Sequence, residues 1–104
     1  MIQVKKRDGR IVPFDGDKIK NTIQEAFRMA SVEDDLSASE YVLTKLIEYI
    51  TLMYSEDNYL ISIEEMLDVV EDILKYFDRA AARAFIKERF YKEMEHRFRY
   101  LFEV

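Results

Sequence analysis

The side chains best suited to chemistry in this sequence are basic, and they fall in two clusters. Lys5, Lys6, Arg7 and Arg10 crowd one stretch near the start, and a second set runs from Arg79 to Arg99. Cations grouped in this way hold anions. The chain as a whole carries a net charge of -5, whereas a general nucleic-acid binder needs a basic surface that releases counterions. Two local basic patches on an acidic protein therefore suit a small anionic ligand and not nucleic acid. Bond-making groups are scarce. With no cysteine there is no disulfide, thiolate nucleophile or cysteine-based metal site, and a reducing, cytoplasmic setting is expected. The lone histidine, His96, has no matching partner and reads as a surface residue. Glu64, Glu65, Asp68, Glu71 and Asp72 recur at spacings that could hold a cation. They read more simply as a solvated helix face, whose first two acids favour the helix N-terminus. No phosphate-binding glycine loop, nucleophile elbow or metal-binding helix motif is present. The expectation is a binding protein, not an enzyme, with no catalytic residue and no resident metal.

The elements that would position these residues follow from periodicity. Residues 2 to 7 alternate, with Ile2 and Val4 on one face and Gln3 and Lys5 on the other. Asp8-Gly9 precedes Ile11-Val12, a strong hairpin signal, and Pro13 ends the second strand or sits on an edge. Asp15 or Asp17 caps a helix with an apolar stripe of Ile19, Ile23, Ala26, Phe27 and Ala30. Residues 31 to 36 read as a loop. Ser37 and Glu40 form a capping box for a second helix that buries Leu43, Leu46, Ile47, Ile50 and Met53 and fades by Ser55 to Asn58. Tyr59 to Ile61 suggests a third strand. Ser62 and Glu65 open a third helix carrying Met66, Val70, Ile73, Leu74 and Phe77, and Asp78 caps a last helix of about 24 residues. On that helix Ala82, Phe85, Ile86, Phe90, Met94, Phe98 and Leu101 share one side.

The order is β-β-α-α-β-α-α in a single domain over residues 1–104, with a core over about 2–92 and a helical extension over 93–104. This is an α+β fold, mostly α. At 1.5 Å per residue the last helix is about 36 Å long and the second about 27 Å. The aromatic end from Phe98 to Phe102 therefore overhangs the bundle and packs on a partner, or else bends back onto its own core. The start of the chain has no apolar signal-peptide core, and no run of about 18 apolar residues exists to span a membrane.

Several of these residues also carry a family likeness. Val4-Lys5-Lys6-Arg7-Asp8-Gly9-Arg10, then Val12-Pro13-Phe14-Asp15 and Lys18-Ile19, resembles the opening of the ATP-cone, a small regulatory domain that binds adenine nucleotides. Ser62-Ile63-Glu64-Glu65-Met66 with Val70-Glu71 resembles the start of that family's third helix. Ala80 to Phe85 with Arg89 resembles its last helix. The four pieces occur in order over residues 2 to about 92. The resemblance implies a small hairpin or three-stranded sheet covering a four-helix bundle, in agreement with the order read from periodicity. It implies ATP or dATP as effector, magnesium arriving with the phosphates, and control of a ribonucleotide reductase through its oligomeric state. The partner would be a reductase catalytic domain or subunit, or a second copy of the chain.

Carried over residue by residue, the resemblance places Val4 against the base together with Val12, and Lys5, Lys6 and Arg7 at the phosphates or the base edge. Lys18, one turn into the first helix, would reach the phosphates near a positive helix end. Asp15 matches a position that contacts the nucleoside. Lys92 matches the family's last basic contact, with Arg89 and Arg83 as rivals. The chain departs from the family at Ile63 and Leu67, where many members carry polar residues that meet the sugar. Two readings follow. One is a nucleotide-sensing allosteric module. The other is a helical protein-interaction module that keeps the fold and has lost its nucleotide.

Overall fold

The computed structural model describes residues 2–53 and 59–102, apart from the side chains of Tyr59, His96, Tyr100, Leu101 and Phe102. The expectations for Ser55 to Asn58, for the exposure of His96 and for the packing of Tyr100 to Phe102 lie outside the described residues. Strand β1 (Ile2–Lys5) pairs antiparallel with β2 (Ile11–Pro13) and parallel with β3 (Tyr59–Ser62), so the sheet order is β2-β1-β3. Val4 is the central residue, opposite Val12 on one side and Ile61 on the other. Pro13 lies on an edge strand, where its missing N–H disrupts no ladder. The hairpin closes by hydrogen bonds from Gly9 N–H to Lys6 C=O at 2.9 Å and from Lys6 N–H to Arg10 C=O at 2.8 Å. Gly9 has φ +88, a left-handed conformation that glycine adopts without steric cost.

Four helices follow among the described residues: α1 (Gly16–Met29), α2 (Asp35–Met53), α3 (Ile63–Phe77) and α4 (Arg79–Phe102). Asp15, not Asp17, caps α1, accepting Lys18 N–H at 3.2 Å. Ser62 caps α3 through Glu65 N–H, and Asp78 caps α4 through the N–H groups of Ala80 and Ala81. Helix α1 ends with Val32 N–H on Phe27 C=O and Ser31 N–H on Arg28 C=O. This is the crossed pair of a Schellman stop, with Ser31 at φ 59 in the place usually given to glycine.

The second helix differs from its expected form. It begins at Asp35, and Asp34 is its cap, accepting Ser37 N–H at 3.2 Å. Ser37 already lies in the first turn, so it is not the capping residue. The buried face turns with that boundary. Ala38, Ser39, Val42, Leu46 and Ile50 are buried, Leu43 is half-buried, and Ile47 and Met53 are exposed. Ser39 is tolerated in the core because its hydroxyl donates to Leu36 C=O at 2.8 Å.

Helix α1 packs on α2 and α4, and α3 packs on α2 and α4, so the four helices form a bundle. Its centre is Phe27, Ile23, Leu46, Ile50, Val42, Val70 and Leu74. Phe27 meets Phe77 edge-on at 5.5 Å. Among the described residues of α4, Ala81, Ala82 and Phe85 are buried whereas Ile86 and Phe90 face outward, so over the described positions the expected stripe is fully buried only at its start. Small residues here let α4 approach α1 and α3 closely. Met94 and Phe98 are half-buried.

Candidate functional site

The hairpin does not lie flat on the bundle. Between it and helices α1, α3 and α4 is a cavity of 620 Å³, within the range typical of small-molecule sites. Its inner wall is hydrocarbon. Val4 and Val12 descend from the sheet, Ile19 and Ala26 rise from α1, and Ile63, Met66 and Leu67 come from the first turns of α3. Ala84 and Phe85 close it from α4, and Phe14 lies at the join between β2 and α1. A flat aromatic ligand group would lose water and no hydrogen bond against this wall.

The mouth is charged. Lys6, Arg7 and Arg10 reach it from the hairpin, Lys18 from the first turn of α1, and Arg89 and Lys92 from α4. The alternation of β1 explains the division between Val4 and its neighbour. Val4 points into the fold and is buried, while Lys5 points to the other face, is exposed, and does not line the cavity. Lys5 is thus the one expected hairpin cation that the fold does not bring to this cavity. Arg83, one of the two alternatives to Lys92, lines a separate shallow groove with Lys75 and Arg79 at the α3–α4 corner.

The cations at the mouth differ in what already holds them. Among the described residues, the side chains of Lys6 and Lys18 make no salt bridge. Lys92 is 4.0 Å from Glu88 one turn away, a solvent-exposed pair of little strength. Arg10 is folded back on Asp8 at 2.6 Å, and Asp8 also accepts the Arg10 backbone N–H at 3.0 Å. That backbone hydrogen bond, followed by the guanidinium, holds the Asp8 carboxyl below its usual range. Arg7 Nε donates to Glu64 Oε1 at 2.6 Å.

Arg89 is the most enclosed, its side chain only 14% exposed. It donates to Asp68 and Glu71 at 2.8 Å each, and to Glu64 at 2.7 Å on the side chain and 3.3 Å on the backbone. Burial opposes the charge on Arg89, but the hydrogen bonds to Glu64, Asp68 and Glu71 outweigh it and its pKa rises. Glu64 moves the other way. Its hydrogen bond from Arg89, joined by that from Arg7, lowers its pKa against the opposing effect of burial. The acidic run of α3 is thus partly a clamp on Arg89 and not simply a solvated face.

Of the residues expected from sequence, Val4, Lys6, Arg7, Val12, Asp15, Lys18, Ile63, Leu67, Arg89 and Lys92 all line this one cavity. Sequence reasoning did not single out Thr22 and Glu25, which line it from α1. Helical spacing from Lys18, four and seven residues on, is the signal that finds them. Glu88 follows in the same way from Lys92. Among the described residues no group of three histidine, cysteine or carboxylate side chains is placed to hold a metal ion. The arrangement suits a ligand with one apolar face and an anionic tail. The ATP cone domain family model matches residues 2–100, nearly the whole chain. With the sheet, the bundle and the cavity between them, that match shows that this chain belongs to the ATP-cone family of regulatory, adenine-nucleotide-binding domains.

Proposed function

We propose that this chain senses ATP or dATP, bound with Mg²⁺, and regulates a ribonucleotide reductase by changing how its subunits, or copies of this chain, associate. The observation that carries the reading is the cavity beneath the hairpin, apolar within and cationic at its mouth, formed where the family-matching motifs converge. Adenine would lie against Val4, Val12, Ile63 and Met66. The phosphates would extend toward Lys6, Arg7, Lys18 and Lys92, and Mg²⁺ would arrive with them. Asp15 would stand on the nucleoside side of Lys18 while its carboxylate also caps α1. Ile63 and Leu67 offer no hydrogen-bonding group to a sugar hydroxyl, so ATP and dATP should be separated by less than about a hundredfold in affinity. Regulation requires that nucleotide bind two assembly states unequally, and the difference in binding free energy bounds the shift.

Calorimetric titration with ATP and with dATP in the presence of Mg²⁺, with light scattering on the same samples, tests the reading. Saturable binding with a change in mass supports a sensor acting through assembly. Binding without a change in mass moves the switch to a partner. Absence of binding to either nucleotide rejects the reading in favour of a protein-interaction module.

A further inference from the structure

We propose that Glu64 competes with a ligand's phosphates for Arg7 and thereby sets the affinity of the site, with Arg89 as the positioning residue that holds Glu64 in place. The inference rests on the nucleotide reading above and adds a residue that opposes binding. Both oxygens of Glu64 are engaged, Oε1 by Arg7 at 2.6 Å and Oε2 by Arg89 at 2.7 Å. The two arginines are not equivalent. Arg89 is enclosed and also bonded to Asp68, Glu71 and the Glu64 backbone carbonyl, so its position is fixed from α3 at four points. Arg7 comes from the hairpin turn, its side chain 29% exposed, and bonds Glu64 through Nε. If the contact breaks, Arg7 is the partner free to move and Glu64 stays behind.

The other proposed phosphate cations face no such rival. Lys6 and Lys18 have no salt bridge among the described residues, and Lys92 has only the long contact to Glu88. Arg7 must exchange a carboxylate for a phosphate, and the carboxylate left behind remains ionised beside the new anion because Arg89 still donates to it. Both the exchange and the residual like-charge repulsion weaken binding. The effect acts only on the phosphates, since the apolar wall that would take the base does not involve Glu64.

Glu64→Gln keeps the shape and an acceptor oxygen for Arg89 while removing the charge. By calorimetry the variant should bind ATP more tightly than the parent by roughly two- to fivefold, the scale of a partly exposed ion pair. It should bind adenosine with unchanged affinity. In an Arg7→Ala background the gain from Glu64→Gln should shrink, because the contested group is gone. Circular dichroism and thermal melting establish that each variant is folded. Equal or weaker ATP binding by a folded Glu64→Gln variant overturns the proposal while leaving the nucleotide reading intact. A gain that appears equally with adenosine, or persists in full without Arg7, overturns it too. If neither parent nor variant binds ATP, the nucleotide reading falls and the competition falls with it.

Discussion

The carboxylate of Asp34 accepts the backbone N–H of Ser37 at 3.2 Å and closes the first turn of α2. The hydroxyl of Ser37 is exposed on that turn. Asp34→Ala should therefore destabilise the protein by about 1 kcal/mol, the usual cost of losing a cap, whereas Ser37→Ala should stay within about 0.5 kcal/mol of the parent. Urea unfolding of both variants measures the difference. Equal losses would return the cap to Ser37.

Ser31 holds φ 59 at the end of α1 with a side chain that is exposed. A left-handed backbone costs an L-residue about 1 kcal/mol or more that glycine does not incur, partly offset by the greater freedom of glycine in the unfolded chain. Ser31→Gly is expected to raise stability by a few tenths to about 1 kcal/mol. A lowered melting temperature would mean that the Schellman pair is not held in solution.

The alternation of β1 separates neighbouring lysines. Lys6→Ala and Lys18→Ala should each weaken ATP binding by roughly tenfold, as expected for a charge-assisted hydrogen bond. Lys5→Ala should leave it within about twofold, since Lys5 faces away from the cavity. Loss of affinity in Lys5→Ala alone would place the ligand on the opposite face of the sheet.

Acid should act through Glu64. Its pKa in the folded state is lowered, first by Arg89 and then by Arg7. The unfolded chain, with an ordinary value of about 4.3, takes up the proton first as pH falls. The stabilisation is therefore complete above about pH 4.3 and is lost as pH drops through the lower folded-state value. Melting temperatures between about pH 6 and about pH 3 should fall more steeply for the parent than for Glu64→Gln, so the two curves converge at the acid end. Parallel curves would show that Glu64 titrates normally.

Much of the fold was legible because short-range physics decides it. The Asp8-Gly9 turn, the caps at Asp15, Ser62 and Asp78, and the stripe of Ile19, Ile23, Ala26 and Phe27 depend on residues within a few positions of one another. They came out as expected. The start of α2 did not, because Asp34 and Ser37 are both competent caps and only the packing of Ala38, Val42 and Leu46 chooses between them.

The sequence by itself determined the order of elements, the family and the set of cations that could meet an anion. It could not determine which of those cations are already bound. Arg7, Glu64 and Arg89 lie far apart in the chain and meet only when β1 pairs in parallel with β3 and α4 returns alongside α3. Tertiary structure alone brought them to hydrogen-bonding distance, because a charge responds to what surrounds it in space and not to its neighbours in sequence. The same holds for the cavity. Phe85 reads in the sequence only as part of a helix stripe, and the wall it shares with Val4 and Ile63 exists because the hairpin stands off the bundle instead of closing on it.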